Sequence, residues 1–86
     1  MITPAQSRAA RGWLDWSQEE LAKRATVSLS TVKDFERGRR TPIGNNLSAM
    51  AHAFEAAGMQ LLNDENGIPT GVAERRTSGA PFDQSS

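Results

Sequence analysis

Apolar residues recur three and four positions apart along the first 57 residues, which predicts a series of short amphipathic helices. Thr3 and Pro4 mark the start of the first helix, because Thr can accept a hydrogen bond from a free backbone N–H and Pro is tolerated at the first helical position. This helix is predicted to reach Leu14. Asp15 then ends it, in a bend that would suit glycine better.

The next two helices are predicted to lie close together in the chain. Ser17 and Glu20 have the spacing of a capping box, which opens a second helix that runs to about Ala25. The two residues before Ser28 leave room only for a tight turn. Ser28 can cap a third helix that reaches about Arg37.

A fourth helix is predicted after a loop. Gly38 ends the third helix, and the polar stretch that follows it, which includes Pro42 and Gly44, is typical of a loop. Asn46 is predicted to cap the fourth helix, which Gly58 closes. Its apolar stripe has helical spacing and consists of Leu47, Met50, Ala51, Phe54 and Ala57.

The pattern changes after Gly58, where short β-strands are predicted. Residues 59–62 form one candidate strand, and residues 70–73 a second one that Pro69 confines to a sheet edge or to a strand start. Between them, Asn66-Gly67 favours a turn with positive φ. Residues 59–75 are therefore predicted to be a β-hairpin extension of a helical domain at 1–58, and residues 76–86 a disordered tail.

Composition excludes several classes of protein. A chain of 86 residues has room for one domain, and without cysteine it has no disulfide or thiolate metal site. It has no apolar run of the roughly 20 residues that span a bilayer, and its N-terminus does not have the pattern of a secretory signal. We therefore expect an intracellular protein with no membrane partner.

The net charge is zero, with ten basic and ten acidic residues, which by itself gives little support for a nucleic-acid partner. The distribution is more informative, because four of the basic residues fall between Lys33 and Arg40. The neutral total therefore conceals a local basic patch at the end of the third predicted helix.

Residues 18–37 form two short helices joined by a tight turn, and their sequence resembles the lambda-type repressor and Cro family, also called the XRE family. The resemblance covers roughly Ala5 to Ala57. Two positions depart from the family pattern, because Asp15 and Thr26 stand where glycine is usual. The matching segments are Ser17–Ala25, Ser28–Val32 and Phe35–Gly38, followed by Pro42.

The resemblance implies an all-α fold of four to five helices, followed here by a short β-hairpin or strand. It implies sequence-specific binding of double-stranded DNA by a small transcriptional regulator, with a repressor favoured. The protein would be of bacterial or phage origin and work in the cytoplasm, where it associates with the nucleoid when bound. The third helix, residues 28–37, would lie in the DNA major groove.

Base contacts are expected from the outward residues at the start of this helix. Leu29 can meet a thymine methyl group, although an exposed leucine on a surface helix needs no special explanation. Lys33 can reach a guanine or merely a phosphate. The expected base-contacting residues are Ser28, Leu29, Ser30 and Lys33.

Phosphate contacts are implied by the resemblance on both sides of the third helix. Gln18 would bind a phosphate with help from the backbone N–H groups of its helix, although a solvated glutamine is the alternative. A run of arginines is usually only a solvated loop, but these follow the recognition helix. The expected phosphate contacts are Gln18, Thr31, Arg37, Arg39, Arg40, Asn45 and Asn46.

The resemblance also implies a partly buried salt bridge between Arg11 and Glu36 that orients the third helix. The alternative is two exposed charges. Trp16 aligns with an apolar core position, whereas Trp13 is expected to be partly exposed.

We expect no enzymatic activity, no cofactor and no metal. His52 is the only histidine and has no thiol to share a metal with. The acidic turn at residues 64–67 does not have the spaced oxygen ligands and the final glutamate of an EF-hand.

A homodimer on a palindromic operator is expected, because one short helix contacts too few bases for specificity. An unpaired strand edge within 59–73 is the candidate dimer contact. Two alternatives remain open: an antitoxin whose C-terminal segment binds a toxin, and a protein-interaction module that keeps the helix-turn-helix fold without DNA affinity.

Overall fold

The chain folds into four α-helices followed by a two-stranded antiparallel sheet. The computed structural model describes residues 1–75, so the predicted tail at 76–86 lies outside the described residues. The predicted helical domain with a short C-terminal hairpin is confirmed. The elements are α1 (Pro4–Leu14), α2 (Gln18–Ala25), α3 (Leu29–Glu36), α4 (Gly44–Ala56), β1 (Met59–Asn63) and β2 (Pro69–Glu74).

Side-chain caps start the first three helices. Thr3 caps α1 in a two-way box with Gln6, in which each side chain accepts from the other residue's backbone N–H. Ser17 accepts from the backbone N–H of Glu20 at 2.9 Å, as predicted. The reciprocal bond of that capping box is replaced, because the Glu20 carboxylate pairs with Arg24 one turn later at 2.7 Å.

Two turns use left-handed backbone at residues other than glycine. Asp15 has φ 59° and Thr26 has φ 56°, as the departures from the family pattern predict. Left-handed backbone costs on the order of 1 kcal/mol or more at such residues, and Thr26 is β-branched. The turn after α2 is closed by Val27, whose N–H donates to the carbonyl of Ala22 at 3.0 Å.

The predicted cap of α4 is wrong. Ile43 is the residue before this helix, which begins at Gly44, so Asn46 lies within its first turn rather than before it. The carbonyl of Ile43 accepts from the backbone N–H groups of Asn46 and Leu47, at 3.0 and 3.2 Å. The chain is therefore already helical before Asn46, and the backbone geometry overrides the preference of asparagine for capping positions.

One hydrophobic core joins all four helices to the sheet. Its most deeply buried large side chains are Leu21, Val32, Met50, Phe54 and Met59, each at most 1% exposed. Trp16 covers this core, because its ring stacks on Phe54 at 5.6 Å and is half-buried. The core thus fixes α3 against the bundle by its inner face only.

The buried side chain of Gln6 in α1 forms hydrogen bonds with both strands of the hairpin. Gln6 is 3% exposed, and its amide nitrogen donates to the carbonyls of Leu62 and Gly71, both at 3.0 Å. Leu61 and Val72 are cross-strand partners that pack against the core. Nothing in the sequence pattern identifies Gln6 as this link.

The turn of the hairpin contains Asn66-Gly67, as predicted. Within residues 1–75 only Gly67 of that pair has positive φ, at 80°. The Asp64 carboxylate accepts from the backbone N–H groups of Asn66 and Ile68 at 2.8 and 2.9 Å. Because this side chain organises the loop, one left-handed residue is enough to reverse the chain.

Candidate nucleic-acid interface

α3 packs against the bundle on one face and presents the opposite face to solvent. Val32 and Phe35 are buried, whereas Ser30, Lys33 and Arg37 are exposed. These three exposed residues have the spacing i, i+3 and i+7, so they lie on one side of the helix. We call the row formed by Ser30, Lys33 and Arg37 the outer row of α3.

Three hydroxyl groups cluster at the N-terminus of α3. The Ser28 side chain caps the helix by accepting from the backbone N–H of Thr31 at 3.1 Å. Its oxygen also lies 2.7 Å from the Thr31 hydroxyl and 3.2 Å from the Ser30 hydroxyl. Ser28 is therefore a cap in this structure, and its hydroxyl already has partners within the chain.

Leu29 is less exposed than its expected role as an outward residue requires. Its side chain is half-buried and packs against the core. The remaining surface of Leu29 lines a groove together with Lys33. Only one side of this leucine is therefore accessible to a ligand that approaches α3.

Two open grooves flank the outer row of α3. One, of about 350 Å³, lies between the start of α2 and α3, and we call it the α2 groove. The other, of about 260 Å³, lies between α3 and the loop that leads to α4, and we call it the loop groove. The α2 groove is lined by Ser17, Gln18, Glu19, Leu29 and Lys33, and the loop groove by Ser30, Thr31, Asp34, Arg40, Thr41, Pro42, Ile43 and Asn46.

The expected phosphate contacts divide between the two sides of α3. Gln18 lines the α2 groove, whereas Thr31, Arg40 and Asn46 line the loop groove. The other three, Arg37, Arg39 and Asn45, are exposed, and all of them lie between the end of α3 and the first turn of α4.

A buried carboxylate lies directly behind this surface. Glu36, at the end of α3, is 5% exposed and forms an ion pair with Arg11 of α1, with 2.8 Å between Arg11 Nη2 and Glu36 Oε1. Arg11 Nε donates to the second carboxylate oxygen at 2.9 Å. Ser7 of α1 and Gln18 of α2 also donate to this carboxylate, so it joins three helices.

Opposing effects act on the pKa of Glu36. Burial is the largest single effect and acts to raise the pKa. Hydrogen bonds from Arg11, Ser7 and Gln18, together with the positive charge of Arg11, outweigh it and lower the pKa below the ordinary value of 4.5. Glu36 is therefore ionised at neutral pH, and its charge is balanced by Arg11.

Sequence reasoning missed three contacts of Glu36, one of which is the hydrogen bond from Gln18. Ser7 is fully buried and donates to the Glu36 side chain, and Arg8 donates to the Glu36 backbone carbonyl at the end of α3. Ser7 lies four residues before Arg11 and therefore on the same face of α1. That spacing is the one feature of the sequence that could have identified it.

The fold and the exposed recognition helix define a DNA-binding protein of the helix-turn-helix class. A family model described as Helix-turn-helix matches residues 8–57, more than half of the chain. The chain belongs to this family, the lambda-repressor-like or XRE family of DNA-binding regulators. The comparison with curated proteins finds no match.

Within residues 1–75 no group of three or more potential metal ligands comes together. No helix in the same range is long and apolar enough to cross a membrane.

Proposed function

We propose that this protein is a repressor that binds a palindromic operator as a homodimer, with α3 in the major groove. The observation that carries the proposal is the exposed outer row of α3 with an open groove on each side. An α-helix with its side chains is about 10–12 Å across, and the major groove is about 12 Å wide. A helix placed there has one phosphate backbone on each side, where the two grooves lie.

Base recognition belongs to the outer row. Ser30 and Lys33 are exposed on it, and Lys33 has the length to reach the acceptors of a guanine. Leu29 contributes an apolar contact of the kind that a thymine methyl offers, through the side that lines the α2 groove. Ser28 acts mainly through its cap, which fixes the hydroxyls beside it.

Phosphate binding is shared between the two sides of the helix. On the loop side, Arg40 supplies charge, and Thr31 and Asn46 supply hydrogen-bond donors around the same groove. Arg37, Arg39 and Asn45 extend this surface. On the other side Gln18 begins α2, where free backbone N–H groups attract a phosphate. Contacts of this kind supply most of the salt-dependent affinity.

Salt dependence of DNA binding tests this proposal. Each neutralised phosphate contributes about −0.9 to the slope of log affinity against log salt. Arg39→Gln and Arg40→Gln are therefore each expected to make this slope less steep by about one unit. The matched control is Arg24→Gln, since Arg24 is engaged with Glu20 and lies over the Trp16 ring at 4.4 Å. We expect this control to leave the slope unchanged. A wild-type chain that binds no duplex even at low salt would contradict the proposal and favour a protein-interaction module.

We propose a dimer because α3 is too short to contact many base pairs. This helix has eight residues, so a single copy contacts only a few base pairs. The hairpin is the proposed contact, because a two-stranded sheet has an outer edge on each strand that can pair with another copy. Two copies on adjacent half-sites would occlude polymerase from a promoter, which is the simplest form of repression.

A further inference from the structure

Gln18 lies between the interior of the protein and the proposed DNA surface. Its amide nitrogen donates to Glu36 Oε1 at 3.1 Å, on the side of the buried carboxylate. Gln18 also lines the α2 groove, together with Lys33. One residue thus binds a buried anion and borders an open groove.

The chemistry of a primary amide suits this position. Its nitrogen carries two N–H groups in a fixed plane, and a carboxylate takes only one of them. The second N–H is available to an acceptor in the α2 groove. A phosphate oxygen is such an acceptor, and a single glutamine can therefore bridge two anions.

We propose that Glu36 is a positioning residue for DNA binding, which holds the Gln18 amide so that its second N–H points at a phosphate in the α2 groove. The proposal rests on the proposed function, because it takes the phosphate contact of Gln18 from there. Glu36 itself touches no DNA in this arrangement.

The residues around Glu36 hold its carboxylate in one position, which allows it to fix the Gln18 amide. Arg11 and Ser7 of α1 hold both carboxylate oxygens, and the carboxylate side of the pair is almost fully buried. Arg11 also balances the charge, so that the carboxylate does not repel a phosphate on the far side of the amide. Because α1 fixes the Glu36 carboxylate, it also fixes the position of the Gln18 amide of α2.

A double-mutant cycle tests the proposal on duplexes selected with the wild-type chain. Gln18→Met keeps the length of the side chain and removes both donors. We expect it to weaken binding about tenfold in the wild-type background, the effect of one hydrogen bond to a charged acceptor. In the Glu36→Met background, where the side chain at position 36 offers the Gln18 amide no acceptor, the same change should weaken binding by about twofold or less.

Lys33→Met is the matched control, because Lys33 lines the same groove and its contribution should not depend on Glu36. Its loss of affinity is expected to be equal in the two backgrounds, whereas a general loosening of the fold by Glu36→Met would reduce both contributions. A tenfold loss from Gln18→Met in both backgrounds would overturn the inference and leave the proposed function intact. A wild-type chain that binds no duplex would contradict the proposed function itself.

A measurement on the wild-type chain avoids any dependence on the folding of Glu36→Met. The two side-chain amide protons of Gln18 have separate resonances in a ¹H–¹⁵N spectrum. On addition of DNA, the proton bound to Glu36 should keep its shift and the other should move. Movement of the Glu36-bound proton to the position of a free amide would show that the contact breaks, and would overturn the inference.

Discussion

At the scale of single residues, Glu36 is the group that connects α3 to both of the helices before it. Its carboxylate accepts from α1 and α2 while its own backbone ends α3, so one side chain sets the relation of three helices. The resemblance to the family pointed to Arg11 as its partner, and the structure contains that ion pair. The donors from Ser7 and Gln18 could not be predicted from the family pattern, because serine and glutamine are equally suited to solvent.

The stability of the fold should depend on pH through Glu36. Because its pKa is lower in the folded state, the carboxylate stabilises the fold fully above its unfolded-state pKa of about 4.5, and this contribution is lost as the pH falls through the folded-state value. Glu36→Gln leaves Arg11 without its buried partner and is expected to lower the free energy of unfolding by about 3 kcal/mol at pH 7. Urea denaturation of both proteins at pH 7 and pH 3 measures the difference, which should shrink at pH 3.

The exposed pair formed by Glu20 and Arg24 is the control for this prediction. Glu20→Gln should lower the free energy of unfolding by less than about 1 kcal/mol at pH 7, because surface ion pairs contribute little. An equal effect of Glu36→Gln at both pH values would contradict the role given to the carboxylate.

At the scale of elements, the sequence pattern predicted all four helices, and the capping residues of the first three. α1, α2 and α3 begin after side-chain caps that local rules identify, and their apolar faces have clear spacing. α4 begins after Ile43 without a side-chain cap, and for that reason the asparagine at 46 misled the prediction. The hairpin was predictable from its turn, but its attachment to α1 was not, since a buried amide has no signature in the hydrophobic pattern.

Gln6 should control how firmly the hairpin is held. Gln6→Ala removes the two hydrogen bonds to the carbonyls of Leu62 and Gly71, together with the bond that Gln6 Oε1 accepts from the Thr3 backbone N–H, and is expected to destabilise the fold by about 2–3 kcal/mol. Hydrogen exchange of the amides in β1 and β2 should become faster than exchange in α2 and α3. Gln60→Ala, at an exposed position of β1, is the control and should change neither quantity. An equal increase in the hydrogen-exchange rate in all elements would contradict a role of Gln6 that is specific to the hairpin.

At the scale of the whole molecule, the net charge of zero does not describe the local charge around α3, where exposed arginines follow the helix although Glu19 and Asp34 line the grooves beside it. The basic residues that follow α3 are exposed, whereas acidic residues mark the tip of the hairpin at Asp64 and Glu65. The net charge by itself therefore does not indicate a DNA-binding protein, whereas the order of helices and turns does. The residues of the proposed DNA surface were expected from the family pattern, whereas the two grooves beside α3 could be seen only in the structure.

The proposed dimer contact is testable at the outward side of the hairpin. Leu62 is half-buried and follows the core-facing Leu61, so it points away from the core. Leu62→Lys should convert a dimer into a monomer in sedimentation experiments, with an unchanged circular dichroism spectrum. Glu55→Lys on the exposed side of α4 is the control and should remain dimeric. A dimer that persists in Leu62→Lys would exclude this side of the hairpin as the interface.

Base preference tests the central claim most directly. Duplexes are selected from a random pool with the wild-type chain, and separately with Ser30→Ala, Lys33→Met and Arg39→Gln. If the outer row of α3 contacts base edges, the first two variants lose preference at one or two positions of each half-site, at about 1–3 kcal/mol per position. Arg39→Gln should weaken binding equally across all sequences. Unchanged preferences in both Ser30→Ala and Lys33→Met would contradict the claim that α3 lies in the major groove.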